Sequence, residues 1–145
     1  DTRFQTAKDF CESLTAVSGR EVVHTIVDAE PLGPRVCLDM LIISPCTGNT
    51  LAKIASGITD TAVTMAAKAH LRADRTLVIA LASNDALSAN LKNIATLLER
   101  KNVFFVPMFQ DDPVGKPHSL VADFSRLIDT CAFAKNKKQI QKIFI

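Results

Sequence analysis

The sequence predicts one α/β domain, residues 1–145, built on a mostly parallel sheet, and three observations carry that expectation. Runs that are apolar on both faces recur at residues 38–44, 77–81 and 103–106, as parallel strands covered by helices on both sides do. Helical patterns lie between and beside them at 50–58, 61–71 and 87–100, and such alternation argues for right-handed crossovers within one sheet. The chain has 145 residues, 48% hydrophobic and 22% charged, which is enough to bury a single core.

Residues 6–17 place Ala7, Phe10, Cys11, Leu14 and Val17 at steps of three and four, the period of a half-buried helix, and Ser18-Gly19 stops it. Residues 21–28 hold the β-favouring Val22, Val23, Thr25, Ile26 and Val27, a short strand by composition. Pro31, Gly33 and Pro34 then impose a turn. Residues 38–44 read as the first central strand, 77–81 as the second and 103–106 as the third, which Pro107 closes. A last helix is expected over 119–134.

Several function classes are set aside by composition. Seventeen basic and 15 acidic residues are interspersed for a net charge of +2, which is no nucleic-acid footprint. Lys135-Asn136-Lys137-Lys138 reads as a solvated tail. Cys11, Cys37, Cys46 and Cys131 lack the close pairing of a zinc or redox motif, so no metal site is expected and the thiols are expected to be reduced. No leader pattern and no membrane-length apolar run is present, and a soluble, cytoplasmic protein is expected. His24 lies in an apolar run, and His70 and His118 lack an Asp or Ser partner at recognisable spacing, so none is assigned to catalysis.

Ligands of open α/β sheets collect beyond the carboxyl ends of the strands. Three loops should therefore converge there: 45–50, 82–87 and 107–113. The first, Pro45-Cys46-Thr47-Gly48-Asn49-Thr50, runs from a strand into a helix start, where unpaired N–H groups meet a ligand and Gly48 allows close approach. Read alone, it serves equally as an ordinary capped turn. Asn84 in the second loop either caps the next helix or offers a donor and an acceptor to a ligand. Asp111-Asp112-Pro113 in the third reads as a solvated turn, and Cys46, with no base beside it, as a small space-filling residue.

Taken together, these segments resemble the flavoprotein family that contains the flavin-dependent cysteine decarboxylases. That family carries a Pro-Ala-Ser-Ala-Asn-Thr loop, matched here at Pro45, Asn49 and Thr50, followed by a helix similar to 51–58. Its second signature, Pro-x-Met-Asn with a later Met-Trp, falls on Leu81-Ala82-Ser83-Asn84 and Leu87-Ser88, and only Asn84 matches. The opening Thr2-Arg3-Phe4-Gln5-Thr6 resembles a segment that sets an aromatic ring beside the flavin. The resemblance implies a Rossmann-like three-layer flavoprotein fold and FMN as cofactor. It implies Thr2, Phe4, Pro45, Cys46, Thr47, Gly48, Asn49, Ala82, Ser83, Asn84 and Asp85 around that cofactor.

One branch of the family resembles much more of the chain, through residues 28–34, 45–50, 64–72, 83–87, 101–107 and 110–113. Its members act beside a nicotinamide-binding A subunit in spore-forming bacteria, where the pair makes pyridine-2,6-dicarboxylate. The resemblance implies an oxidoreductase subunit in the mother-cell cytoplasm, with NAD(P) on the partner subunit and Asn84 touching substrate. A small dicarboxylate calls for donors, so Asn49, Asn84 and the N–H groups near Gly48 are its expected contacts, with Lys68, Arg72 or Lys116 adding charge if they face it. Family members assemble as trimers or dodecamers, so a homo-oligomer is expected. The alternatives are a non-catalytic assembly partner of the A subunit and an FMN-dependent cysteine decarboxylase. The chain begins beyond the family's first strand and phosphate-binding glycine turn, so a sheet edge with exposed apolar surface is also expected.

Overall fold

The structure is a computed structural model that describes residues 6–33 and 35–145. Thr2 and Phe4 lie outside the described residues. The central element is β2, Thr76–Ser83, whose side chains alternate between two apolar layers. Leu77, Ile79 and Leu81 point to one core with Leu51, Ile54, Ile94, Leu97 and Phe105. Val78 and Ala80 point to the other with Phe104, Val106, Ala122 and Ala134. Two-sided burial of this kind is what a continuous apolar strand sequence encodes.

On one side β2 pairs in parallel with β1, Met40–Thr47, in the register Leu41↔Leu77 and Ile43↔Ile79, with a bulge before Cys46↔Leu81. On its other side it pairs in parallel with β3, Val103–Phe105. Farther along that same side its end, Ala82 and Ser83, pairs antiparallel with β5, Leu120–Ala122. A two-residue β4, Met108–Phe109, pairs antiparallel with β5. The sheet is therefore mixed, with three parallel strands, β1, β2 and β3, and two, β4 and β5, joined by antiparallel pairing.

The first core is covered by α3, Gly48–Ser56, α4, Ala62–Arg72, and α5, Leu91–Leu98. The second is covered by α6, Leu127–Lys135, through Ala134 with Leu127 and Cys131 beside it. Helices, sheet and helix make the three layers that the resemblance implies. The helix α1, Ala7–Ser18, closes at both ends as its sequence suggests, with a Thr6–Asp9 capping box and left-handed Gly19. None of its residues is buried, however, and Val17 is 89% exposed. Its apolar face does not join either core.

Five expectations need correction. Residues 21–28 form no strand; Thr25 Oγ1 accepts from the Asp28 N–H at 3.1 Å and starts the four-residue α2, Ile26–Ala29. A local cap forms there, and β-favouring side chains need a neighbouring strand to express their preference. Residues 38–44 are not central, since β1 has a strand partner on one side only among the described residues and Ile42 is exposed. The helix expected over 87–100 begins at Leu91, because the Asp85 carbonyl accepts from the N–H groups of Ser88 and Asn90, both at 3.1 Å, and holds 84–90 in turns. The helix expected over 119–134 is replaced in its first part by β5 and a 3₁₀ turn, Phe124–Arg126, which Asp123 caps at Ser125 N–H. The third loop, 107–113, contains β4.

His70 ties α4 to β2. Its buried ring donates from Nε2 to the Thr76 carbonyl at 2.7 Å, the only polarity a carbonyl accepts. Burial lowers its pKa from 6.5, the Thr76 bond opposes that shift, and Arg75 and Lys137 add to it. Unfolding restores the ordinary value, so the unfolded chain binds more protons below it and stability falls as pH drops through 6.5. Urea midpoints measured at about pH 8 and about pH 5.5 should therefore decrease with acid, and less so in His70→Gln. An equal decrease in both proteins would exclude His70 as the source.

Candidate functional site

The bulge in β1 and the strand's exit bring the first loop over the carboxyl end of β2. Thr47 caps α3, its Oγ1 accepting from the Thr50 N–H at 3.3 Å. The N–H groups of Gly48 and Asn49 precede that bond, at a helix start that no intrahelical carbonyl reaches. Gly48 is buried. A Cβ there would lie 2.7 Å from Asn90 Nδ2 and 2.8 Å from Asp85 Oδ1, and would also overlap Ser83 Oγ. The missing side chain thus serves the packing of one loop on the next, more than the approach of a ligand.

The second loop is organised around a carboxylate. Ser83 Oγ donates to Asp85 Oδ1 at 2.5 Å, and Asn90 Nδ2 donates to Oδ1 and Oδ2 at 2.9 and 3.0 Å. Asn93 Nδ2 in turn donates to Asn90 Oδ1 at 2.8 Å. The hydroxyl of Ser83 and then the amide of Asn90 hold the Asp85 carboxyl below its ordinary pKa, so it stays ionised. The Leu87 N–H donates to the His118 carbonyl at 2.9 Å, which joins the second loop to the segment after β4. There Asp111 accepts from Ser119 Oγ at 2.6 Å and pairs with Lys116 at 3.1 Å, and these two bonds lower its pKa. All three loops meet at one end of the sheet, as expected.

Within that corner the named residues divide by exposure. Pro45, Thr47, Asn49 and Asn84 are exposed, while Ala82 and Asp85 are half-buried and Ser83 is buried. The Asn84 side chain makes no hydrogen bond among the described residues, so of its two alternatives the helix cap is not formed. Cys46 is fully buried in the first core, and burial pushes its thiol up to about 12. It fills space, its thiol lying 3.6 Å from the Thr47 carbonyl. Lys116 is tied to Asp111, whereas Lys68 and Arg72 line a separate cleft with Arg100. Asn90 was hidden from sequence reasoning because its position fell inside an apparent helix.

Two hollows border the corner. An apolar groove of about 300 Å³ runs beside Ser44 and Pro45 along Leu41, Ile42, Val63 and Ala66. A polar hollow of about 450 Å³ lies between α3 and α5, lined by Asn49, Ser56, Lys92 and Asn93. The groove is apolar but for Ser44, and the amides of Asn49 and Asn93 belong to the polar hollow. Among the described residues no group of three metal-ligating side chains occurs, and no helix is long and apolar enough to cross a membrane.

The chain belongs to the flavoprotein family, whose pattern, described as Flavoprotein, matches residues 4–133. Within it the chain is similar to the B subunit of dipicolinate synthase of Bacillus subtilis (strain 168). The two are 41% identical over 145 residues, all of this chain and 72% of that protein. The crystal structure of the dipicolinate synthase B subunit from Bacillus halodurans C superposes with a TM-score of 0.92 at 39% identity, covering 100% of this chain and 74% of that one. The FMN-dependent cysteine decarboxylase SpaF superposes with a TM-score of 0.63 at 27% identity, over 87% of this chain and 71% of its own.

Two outcomes follow from the packing. Gly48→Ala should lower stability by about 1–3 kcal/mol in urea unfolding, since the added methyl overlaps three polar groups of the next loop; an unchanged midpoint would show that the loops can separate freely. Iodoacetamide applied to the native protein should modify the exposed Cys37 and leave Cys46 intact until denaturant is added. Early labelling of Cys46 would show that the corner opens.

Proposed function

We propose that this chain is the flavin-linked B-type component of a dipicolinate synthase, an oxidoreductase that converts a dihydrodipicolinate-type precursor to pyridine-2,6-dicarboxylate during sporulation. The similarity to the B subunit of that enzyme along the whole chain, in sequence and in backbone, supports this reading above the others. Its site of action is the mother-cell cytoplasm. Its partners are the A subunit, which carries NAD(P), and further copies of the chain itself.

Aromatising a dihydropyridine ring removes a hydride and a proton. FMN, when bound, supplies a two-electron acceptor for that hydride. The protein's own share is to hold and orient. Pro45 and the apolar groove beside it provide a wall for the flavin ring, with the main chain at residues 46–49 and 82–85 around it. Asn49, Asn84 and the N–H groups at the start of α3 donate to the substrate carboxylates, a donor set that suits a dianion. The proton leaves to solvent, because the carboxylates nearest the corner are already engaged.

That same engagement favours a second reading, in which the chain binds substrate or partner without performing chemistry. Asp85 and Asp111 are held ionised by their neighbours and Cys46 is buried. Neither of these carboxylates nor this thiol is free to drive a proton transfer.

A visible absorbance spectrum of the protein purified with and without its A subunit separates the readings. Stoichiometric flavin bands are expected, and Asn84→Ala should cut turnover roughly tenfold or more while assembly stays intact. A colourless assembly, with oxidation carried by the nicotinamide-binding partner, would favour the binding role.

A further inference from the structure

We infer that Asp85 is a positioning residue: its carboxylate locks the loop between β2 and α5 into one shape, and so fixes where Asn84 stands relative to the Gly48–Asn49 helix start. The inference rests on the reading of this corner as the dicarboxylate site.

The clamp works at three points. The Ser83 hydroxyl, at the last residue of β2, donates to Oδ1, and the Asn90 amide, at the residue before α5, donates to both carboxylate oxygens. The Asp85 carbonyl accepts from the N–H groups of Ser88 and Asn90. One residue thus ties the exit of the strand to the entrance of the helix, through its side chain and its main chain at once. Asn90 is 6% exposed and Ser83 9%, so both donors are shielded, while the Asp85 carboxylate they hold is half-buried. Gly48 rests against the same carboxylate with no room for a methyl group. The clamp therefore sets the spacing of the two loops as well as the shape of one.

Contact between Asp85 and the substrate is disfavoured by charge. An ionised carboxylate only accepts hydrogen bonds and repels a dianion. The three hydrogen bonds from Ser83 and Asn90 screen it, while the flanking Asn84 remains exposed and unpaired among the described residues. A rigid loop presents that amide with less ordering to be done on binding.

The opposite signs expected of positioning and of simple repulsion allow a clean test. Pyridine-2,6-dicarboxylate is titrated by calorimetry into the full-length protein, assembled with its A subunit, as wild type, Asp85→Asn, Ser83→Ala and Asp85→Asn/Asn90→Ala. The asparagine keeps the size of Asp85 but offers an amide where Asn90 or Ser83 needs an acceptor. Positioning predicts that Asp85→Asn and Ser83→Ala both weaken binding, by roughly tenfold for the former. The double variant should be little worse than the single one, because one device is broken twice. Hydrogen exchange at Leu87, Ser88 and Asn90 should accelerate, while peptides of α4 keep their protection. Wild-type affinity or tighter binding in Asp85→Asn overturns the proposal and leaves the site reading standing. Absence of binding by the wild type overturns both. If Asp85→Asn fails to fold, Ser83→Ala, which keeps the charge, decides by the same criterion.

Discussion

The peptide groups of β2 have no water to turn to, and the sheet is arranged around that fact. A strand buried on both faces can satisfy its N–H and C=O groups only through adjacent strands. β1 serves one side along its length. On the other, β3 reaches only as far as Ile79, and the Val106 N–H extends the contact by donating to the Ile79 carbonyl at 2.9 Å. The last residues, Ala82 and Ser83, are left to β5, which arrives antiparallel from much later in the chain. The parallel pairs put the strands' carboxyl ends together, and the antiparallel addition brings the Asp111–Ser119 region to the same end.

This demand explains which parts of the fold were legible in the sequence. Runs such as Leu77–Leu81 announce themselves because two-sided burial leaves no polar position. The helices α3 and α4 carry their own caps, Thr47 and Thr61, close to the start of an apolar period. Leu120–Ala122 carries no such signal. Its three residues fit a helical period as well as a strand, and the partner that decides between them, Ser83, is distant in sequence. The reverse error occurs at Val22–Val27, where β-branched residues find no partner strand and the Thr25 cap prevails.

The meeting of the three loops was legible in outline for the same reason. Strand ends fix where loops gather; the helix start draws attention to Gly48 there, and the family resemblance to Asn49 and Asn84. What the sequence conceals is the division of labour among side chains of similar type. Gly48 looks like an opening for a ligand and is a packing contact; Cys46 looks like a loop thiol and is part of the core.

Within Ser83-Asn84-Asp85-Ala86-Leu87-Ser88-Ala89-Asn90, five polar side chains compete for a few local partners. Hydrogen bonds to an ionised acceptor are roughly twice as strong as neutral ones, so the donors gather on the carboxylate. Ser83 and Asn90 do so, and Ser88 Oγ donates to the carbonyl of the same residue at 3.2 Å. Asn84 is the side chain left over. Its exposure is thus a consequence of Asp85 outcompeting it, and the corner presents neutral donors because its own acid is sequestered. The negative charge stays in the corner but is spent on Ser83 and Asn90, while Asn49 and Asn84 are exposed beside the start of α3.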